Sequence, residues 1–326
     1  MSGRLGAVNR VNKAMMMAGT ASVLVGGSVP ITGMLDGYPI LANQAIRYGI
    51  GALALLMWLR GRLVLPSWRD LPGLLGMVAA GMLGFNAALL IAQRYATPGF
   101  VAAVLGASPL VLAIAVPALA GRRPHARAIA GAILVLTGVA VLTGGGSWHG
   151  PGLVIALLVL VCEVAFTLTG VGVVRRIGPA AASTWACIGA AVGASVITTW
   201  QGGWALPTWQ QATALLVLGT LVTAVAFVFW YSGVSVLGAD RAGVLIGLMP
   251  LSGLGVAVIV GAQALTITAL AGAVVVAVGC AAGLNGNRGR SRTCRTSRDH
   301  DPLPESAPSG LPSRPPDRSR PAASPR

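Results

Sequence analysis

The chain alternates long apolar segments with short polar turns. Segments of roughly 20 residues, long enough to cross a ~30 Å hydrocarbon core as helices, recur along its length. The turns between them carry residues such as Asp36-Gly37 and Gly202-Gly203. This pattern predicts an all-α polytopic membrane protein with ten transmembrane helices. They are expected near residues 14–33, 39–59, 71–93, 97–120, 127–143, 152–173, 180–200, 211–233, 241–261 and 265–284.

Part of the chain occurs twice, at a shift of 141 residues and without a gap. Pro109 falls on Pro250, and Gly131 falls on Gly272. Both copies predict a helix broken by an interior proline, then a short turn and a second apolar helix. Duplicated halves with interrupted helices at matching positions point to a secondary transporter with its site at the repeat interface.

The segments divide the chain into four regions. An N-terminal segment covers residues 1–13, one five-helix repeat covers 14–143, and the second repeat covers 150–284. The remainder, 285–326, is rich in arginine, proline and serine and cannot bury enough apolar surface to fold alone, so we predict a disordered tail. Its arginines are open to two interpretations, contact with anionic lipid or a dispensable positive tail.

Composition and charge agree with a membrane protein. The 326 residues are 55% hydrophobic and 10% charged, against roughly 25% charged in a soluble domain. The net charge of +15 lies in loops and the tail, without a basic stripe between aromatics, so nucleic acid is not an expected partner. Lys and Arg fall in alternate loops, with Arg94 alone on the other side, which predicts a cytoplasmic-membrane protein with both termini cytoplasmic. Because five spans precede the second repeat, the repeats are expected in inverted topology.

No metal, cofactor or disulfide framework is expected. Cys162, Cys187 and Cys280 lie in apolar runs without a CxxC pair, and the histidines are isolated. No Walker or dinucleotide-binding pattern is present, which argues against an ATP-driven pump. Without clustered catalytic groups at membrane depth, an intramembrane enzyme is the weakest of the functional hypotheses.

Two ionisable residues lie inside the apolar segments, Arg47 in the second and Glu163 in the sixth. A charge at the bilayer centre costs a few kcal/mol even on lenient scales, so such residues usually face a cavity or a partner. The repeat aligns Arg47 with Ile188 and Glu163 with Ser22, so neither charge is duplicated. Two interpretations follow: a functional site, or an Arg47–Glu163 ion pair or separate pairings of the two charges that only fix helix packing.

The polar neighbours of these charges share their helix faces. Asn43 and Gln44 lie one turn before Arg47, and Thr167 lies one turn after Glu163. These side chains are candidates for substrate binding or for coupling.

Pro109 and Pro250 are candidate helix breaks. An interior proline removes a backbone donor and frees carbonyls, which in a membrane need a neighbouring helix or a water-lined cavity. A packing kink is the alternative. Ser108 is a further polar candidate beside the first proline. Trp230 and Tyr231, near one end of the eighth segment, are predicted to lie in an interfacial aromatic belt.

Several short stretches resemble the EamA-like transporters of the drug/metabolite transporter superfamily, over roughly residues 14–284. The resemblance is carried by Ala45-Ile46-Arg47-Tyr48, Gln93-Arg94-Tyr95-Ala96-Thr97, Ser108-Pro109-Leu110, Met249-Pro250-Leu251 and Gly121-Arg122-Arg123-Pro124.

This resemblance implies ten helices with both termini inside and a central cavity formed by the first four helices of each repeat. The fifth and tenth helices would be peripheral. It also implies alternating access, often with export of amino acids or other metabolites and sometimes with proton coupling. The chain departs from the family at Gln263, where glutamate is frequent, and at Glu163, where a large aromatic is frequent.

We therefore expect a secondary transporter that exports a small polar or amphipathic metabolite. Glu163 is expected to bind a proton or a cationic group, and Arg47 to pair with Glu163 or with a substrate carboxylate. A facilitative uniporter is one alternative, and a membrane scaffold or sensor with a partner-binding tail is another. The expected partners are the substrate, protons and the lipid bilayer. The small-residue faces of the fifth and tenth segments are expected to pack either a homodimer or the core of the same chain.

Overall fold

The computed structural model describes residues 2–259 and 264–284, and this part of the chain is built from helices. A helix satisfies its backbone hydrogen bonds internally, which a segment in hydrocarbon must do. Ten helical spans in the described part are long and apolar enough to cross a membrane, so the predicted all-α polytopic fold is confirmed. They are α1 (Val8–Gly33), α2 (Ile40–Leu59), α3 (Leu71–Ala92), α4 (Gly99–Leu119), α5 (Ala126–Thr143), α6 (Gly152–Ile177), α7 (Pro179–Gln201), α8 (Trp209–Leu237), α9 (Ala239–Ile259) and α10 (Ile267–Leu284).

The helix bounds repeat at the shift seen in the sequence. The first and last residues of α10 lie 141 positions after those of α5. α3 and α8 each contain a π-helical segment, Met77–Gly84 and Leu218–Val225, again 141 positions apart. π-helical turns are rare and frequently occur at functional sites. The two repeats therefore share internal irregularities as well as helix lengths.

The spans that contain Pro109 and Pro250 change their helical geometry shortly before each of these prolines. In α4, helix Pro98–Leu105 is followed by helix Ser108–Leu119. In α9, a short helix Ala239–Ala242 and a 3-10 segment Gly243–Gly247 lead into helix Leu248–Ile259. Pro109 and Pro250 thus lie in the first turn of the following helix, where a missing N–H breaks no helical hydrogen bond. The prediction of a proline inside a helix is wrong for Pro109, which follows a break in α4, whereas Pro250 lies just after a 3-10 segment that passes directly into the α-helix.

Glycines bring α5 and α10 into backbone contact. A Cβ on Gly138 would lie 2.7 Å from the backbone nitrogen of Val276, and one on Gly272 would lie 2.7 Å from the carbonyl oxygen of Gly138. Small residues that permit this approach are typical of membrane helix interfaces. These faces pack against each other within one chain, so they are not free to form a dimer. A homodimer through another surface stays a prediction.

The contacts between the other helices also reflect the repeat, because counterpart helices have counterpart neighbours. α1 packs against α8 and α9, whereas its counterpart α6 packs against α3 and α4. α2 and α7, which are also counterparts, pack against each other. Since α1 to α5 are an odd number of spans, a chain that threads a membrane enters the second repeat from the opposite face. The predicted tail, 285–326, and Gln263 lie outside the described residues.

The largest buried cluster draws on eight of the described spans, all except α5 and α10. It contains Tyr48 of α2, Met82 of α3, Phe166 of α6, Cys187 of α7 and Tyr231 of α8. The Tyr231 hydroxyl donates to the carbonyl oxygen of Phe166 at 3.1 Å, and the two rings are 5.5 Å apart between centroids. The predicted interfacial position of Trp230 and Tyr231 is wrong, because both side chains are buried inside the bundle.

Candidate functional site

Arg47 is held by contacts on two sides of its guanidinium. Its Nε donates to Thr223 Oγ1 at 2.9 Å, and its Cζ lies 5.6 Å from the centroid of the Tyr48 ring. Thr223 belongs to the π-helical segment of α8 and is fully buried. Arginine has five N–H donors in a planar fork, so one bond at Nε leaves the two Nη groups for other acceptors.

Glu163 lies half-buried on α6. In the part of the chain that the structure describes, it makes no ion pair with Arg47, and the ion pair that is present joins Arg176 to Asp70. A fixed Arg47–Glu163 pair is therefore not part of this structure. Glu163 and Arg47 remain the two charges in the middle of the spans.

Thr167 differs from most other threonines of the bundle. Threonine in a helix commonly donates to the carbonyl four residues earlier, as Thr169 does to Ala165 at 2.7 Å. The hydroxyl of Thr167 is fully buried and has no hydrogen-bond partner among the described residues. This hydroxyl lies one turn from Glu163, and no described residue uses its hydrogen-bonding capacity.

Three further predicted residues also carry a buried polar atom without a hydrogen-bond partner among the described residues. Buried polar atoms are nearly always hydrogen-bonded, and the exceptions need a specific explanation. In the described ranges the unpartnered buried atoms include Asn43 Oδ1, Gln44 Oε1 and Ser108 Oγ. Ser183 Oγ of α7 joins them and was not predicted, because a lone serine in an apolar span carries no distinctive signal. A polar molecule or water that reaches these atoms would satisfy them.

A hydrogen-bonded group on α2 and α3 adjoins Arg47. Asn86 Nδ2 donates to the carbonyl oxygen of Met82 at 2.6 Å and to Tyr48 Oη at 3.3 Å. Tyr48 Oη lies 3.4 Å from the same Met82 carbonyl oxygen. Asn86 was not among the predicted residues, because a single amide in an apolar span carries no distinctive signal.

The predicted helix breaks lie beside this region. Pro109 is buried, and Ser108 before it is the first residue of the second half of α4. Pro250 is half-buried in the first turn of Leu248–Ile259. The structure thus places Ser108 at a helix break, as the sequence predicted, but gives no direct partner for its hydroxyl.

An ion pair that was not predicted lies at the start of α3. The carboxylate of Asp70 binds the guanidinium of Arg176, at the end of α6, and accepts from the Ser67 backbone N–H at 2.9 Å. Arg176 also donates to the carbonyl oxygen of Arg69 at 3.1 Å. The Arg176 hydrogen bond, followed by the one from Ser67, holds the pKa of Asp70 below its ordinary value of 3.8.

The arrangement suits the binding of a small polar molecule. The guanidinium of Arg47, the carboxylate of Glu163 and the unpartnered hydroxyl and amide oxygens are carried by helices that contribute to the largest buried cluster. Such a site offers donors to an anionic group and an acceptor to a cationic group or a proton. Among the described residues, no His, Cys, Asp and Glu side chains are grouped to hold a metal ion.

Comparisons with known proteins agree with this architecture. A family model described as the EamA-like transporter family matches residues 12–144 and again residues 150–282. The chain is 24% identical over 254 residues to a Bacillus subtilis (strain 168) protein named as uncharacterized transporter YetK, covering 73% of this chain and 77% of that protein.

A solved crystal structure shares the fold. It superposes with a TM-score of 0.73 at 22% identity and covers 83% of this chain and 96% of the other. The family model accounts for nearly all of the described helices, once for each repeat. The chain therefore belongs to the EamA-like transporter family.

Proposed function

We propose that this membrane transporter is a secondary exporter of a small polar or amphipathic metabolite in the cytoplasmic membrane. It works by alternating access, with both termini in the cytoplasm. The family and the related transporter support transport as the activity. The arginine-rich turns on one side support the orientation. The paired helix interruptions in α4 and α9 support a central site, since transporter sites are commonly built at such breaks.

The observation that carries this proposal is that Glu163 and Arg47, both inside the bundle, form no ion pair among the described residues. Two opposite charges at membrane depth that do not neutralise each other are costly unless something else binds them. Glu163 binds a proton or a cationic group of the substrate, and Arg47 binds a carboxylate. The unpartnered oxygens of Asn43, Gln44, Thr167 and Ser108 accept the remaining donors of the substrate.

The first experiment reconstitutes the protein in liposomes with a pH-sensitive dye. Amino acids and small metabolites are screened against wild type, Glu163→Gln and the control Asp36→Asn. Asp36 is an acidic residue in a turn whose carboxylate accepts from the adjacent Gly37 N–H at 3.0 Å. We expect substrate-evoked proton movement in wild type and in Asp36→Asn, and its loss in Glu163→Gln.

A different outcome separates the alternatives within transport. Equal substrate flux in wild type and Glu163→Gln, without proton movement, would indicate a facilitative uniporter and reduce Glu163 to a packing role. Normal transport by Glu163→Gln with an unchanged pH dependence would contradict proton coupling through this residue.

The hypothesis of a membrane scaffold or sensor predicts a different result. The activity of a scaffold or sensor would depend on the tail, whereas a carrier needs the spans. Truncation after Leu284 should therefore leave both substrate flux and thermal stability close to those of the full chain. Loss of partner binding without any flux in the full chain would favour the scaffold.

A further inference from the structure

We propose that Thr223 is a positioning residue that holds the Arg47 guanidinium by Nε, so that the two Nη groups receive an anionic group of the substrate. This inference rests on the proposed transport function and names the side of the site that takes negative charge. Its structural basis is the 2.9 Å bond from Arg47 Nε to Thr223 Oγ1.

The Thr223 hydroxyl is used differently from the other hydroxyl in the same π-helical segment. Thr220 is half-buried and donates to the carbonyl oxygen of Leu216 at 2.7 Å, within its own helix. Thr223 is fully buried and instead accepts from a residue 176 positions away. A buried hydroxyl bonded to a charged donor is worth more than a neutral hydrogen bond and fixes the orientation of that donor.

The backbone geometry is adapted to this contact. A Cβ on Gly51 of α2 would lie 2.9 Å from Thr223 Cγ2, and one on Gly219 of α8 would lie 2.9 Å from the carbonyl oxygen of Arg47. Glycine at both positions lets α2 and α8 approach closely enough for the Arg47–Thr223 bond. Any larger residue at either position would have to separate the two helices.

Both π-helical segments converge on consecutive residues of α2. The segment of α8 holds Arg47 through Thr223, and the segment of α3 holds Tyr48 through the carbonyl oxygen of Met82. Met82 and Thr223 are counterparts at the repeat shift. The Tyr48 ring in turn lies beside the Arg47 guanidinium. The Arg47 guanidinium is thus held by the Thr223 bond at Nε and by the Tyr48 ring on one side, while its two Nη groups have no acceptor among the described residues.

The test measures the chemical reactivity of Arg47 and does not depend on flux. Purified wild type, Thr223→Val, Thr223→Ser and Thr220→Val are treated with phenylglyoxal, and peptide mapping by mass spectrometry follows Arg47. Thr223→Val keeps the side-chain shape and removes the hydroxyl, Thr223→Ser keeps the hydroxyl, and Thr220→Val is the control from the same segment. Thr223→Ala replaces Thr223→Val if the valine variant does not fold.

We expect Arg47 to react about threefold faster or more in Thr223→Val, the factor that one ordinary hydrogen bond supplies. The rate should return to the wild-type value in Thr223→Ser and stay there in Thr220→Val. Equal rates in all four proteins, or a Thr223→Ser rate like that of Thr223→Val, would overturn the positioning role.

The anion-binding part is tested with a matched pair of probes. Sodium benzoate should slow the modification of Arg47 in wild type, whereas the neutral isostere benzamide should not. Protection by benzoate should be lost in Thr223→Val and restored in Thr223→Ser. Equal effects of benzoate and benzamide would overturn the proposal. This measurement requires no transported compound. A negative result here would overturn the role of Thr223 and leave the proposed transport function intact, and a protein without transport could still show the protection by benzoate.

Discussion

The polar side chains inside the bundle differ in whether they bond to their own helix. Thr143, Thr169, Thr184 and Thr198 each donate to the carbonyl four residues earlier. Such bonds satisfy a hydroxyl without any partner from another helix. Thr167 and Thr223 behave differently, the first without a partner and the second bonded across to α2. This difference separates structural threonines from candidates for the site.

Thr167→Val should lower transport without lowering stability. The substitution keeps the shape and removes a buried hydroxyl that has no hydrogen bond to lose. We expect the free energy of unfolding to be unchanged or about 1 kcal/mol higher, as for removal of an unsatisfied buried group. Thermal unfolding in detergent and liposome flux would measure the two effects.

Thr169→Val is the matched control for this experiment. It loses the 2.7 Å bond to the Ala165 carbonyl and should cost about 1 kcal/mol. If Thr167→Val lost as much stability as Thr169→Val, the Thr167 hydroxyl would have a structural partner after all.

At the residue scale, the sequence identified the charges better than their partners. Arg47 and Glu163 could be found because a charge is rare in an apolar span. Thr223 and Asn86 could not be assigned, since a single hydroxyl or amide is common in such helices. The partner of Arg47 is 176 residues away, and only folding brings it near.

At the element scale, related hydrogen-bonded pairs lie near the starts of two spans. Ser67 and Asp70 precede α3, and their counterparts at the 141-residue shift, Thr208 and Gln211, are the N-cap and the third residue of α8. The second pair forms a full capping box, in which side chain and backbone bond reciprocally. The first pair exchanges part of this arrangement for the Arg176 ion pair. The repeat thus keeps the hydrogen-bonded pair, and among the described residues the first copy also has an ion pair that joins the start of α3 to the end of α6.

The Asp70–Arg176 pair should make stability depend on pH in the acid range. A carboxylate whose pKa is lower in the folded state stabilises the fold above its unfolded pKa, here near 3.8. That contribution is lost as the pH falls through the lower, folded pKa. Unfolding temperatures of wild type and Asp70→Asn should therefore differ at neutral pH and converge on acidification.

Asp36→Asn serves as the control for this pH series. Asp36 accepts from its neighbour Gly37 and forms no ion pair among the described residues. A wild-type minus Asp70→Asn difference that stays constant into strong acid would show that the Asp70 carboxylate contributes nothing through its charge.

The α5–α10 interface should be sensitive to a single methyl group. In Gly138→Ala the new Cβ would lie 2.7 Å from Val276 N and 2.9 Å from the Gly272 oxygen, both backbone atoms that cannot rotate away. We expect a loss of about 1–3 kcal/mol from this overpacking, measured as a lower unfolding temperature. Gly49→Ala, with no atom within 4 Å of the added Cβ, should be close to wild type.

At the scale of the whole molecule, the two repeats are alike in helices and unlike in polar groups. The π-helical segments and the α5 and α10 bounds recur at one shift. Arg47 and Glu163 have the apolar or neutral counterparts Ile188 and Ser22. Under the proposed function, the shared framework supports two related conformations and the unshared charges serve one site.

The proposed orientation predicts opposite labelling of two loops. In a variant without the native cysteines, a membrane-impermeant maleimide should label Leu206→Cys in intact cells. Arg123→Cys should react only after permeabilisation. Both residues are exposed, so burial does not limit either reaction. The reverse pattern would contradict termini in the cytoplasm and, with them, the direction of the inverted repeats.

The sequence by itself determined the number of spans, the repeat and its register, and the positions of the two charges. These features follow from hydropathy, spacing and the cost of burying charge, which are local along the chain. Only the tertiary structure decided that Pro109 follows a break in α4, that Tyr231 faces the bundle, and that Arg47 binds Thr223 and not Glu163. The contacts of Tyr231 and Arg47 join residues far apart in the chain. They depend on close helix packing at glycines and on π-helical turns, which hydropathy does not encode.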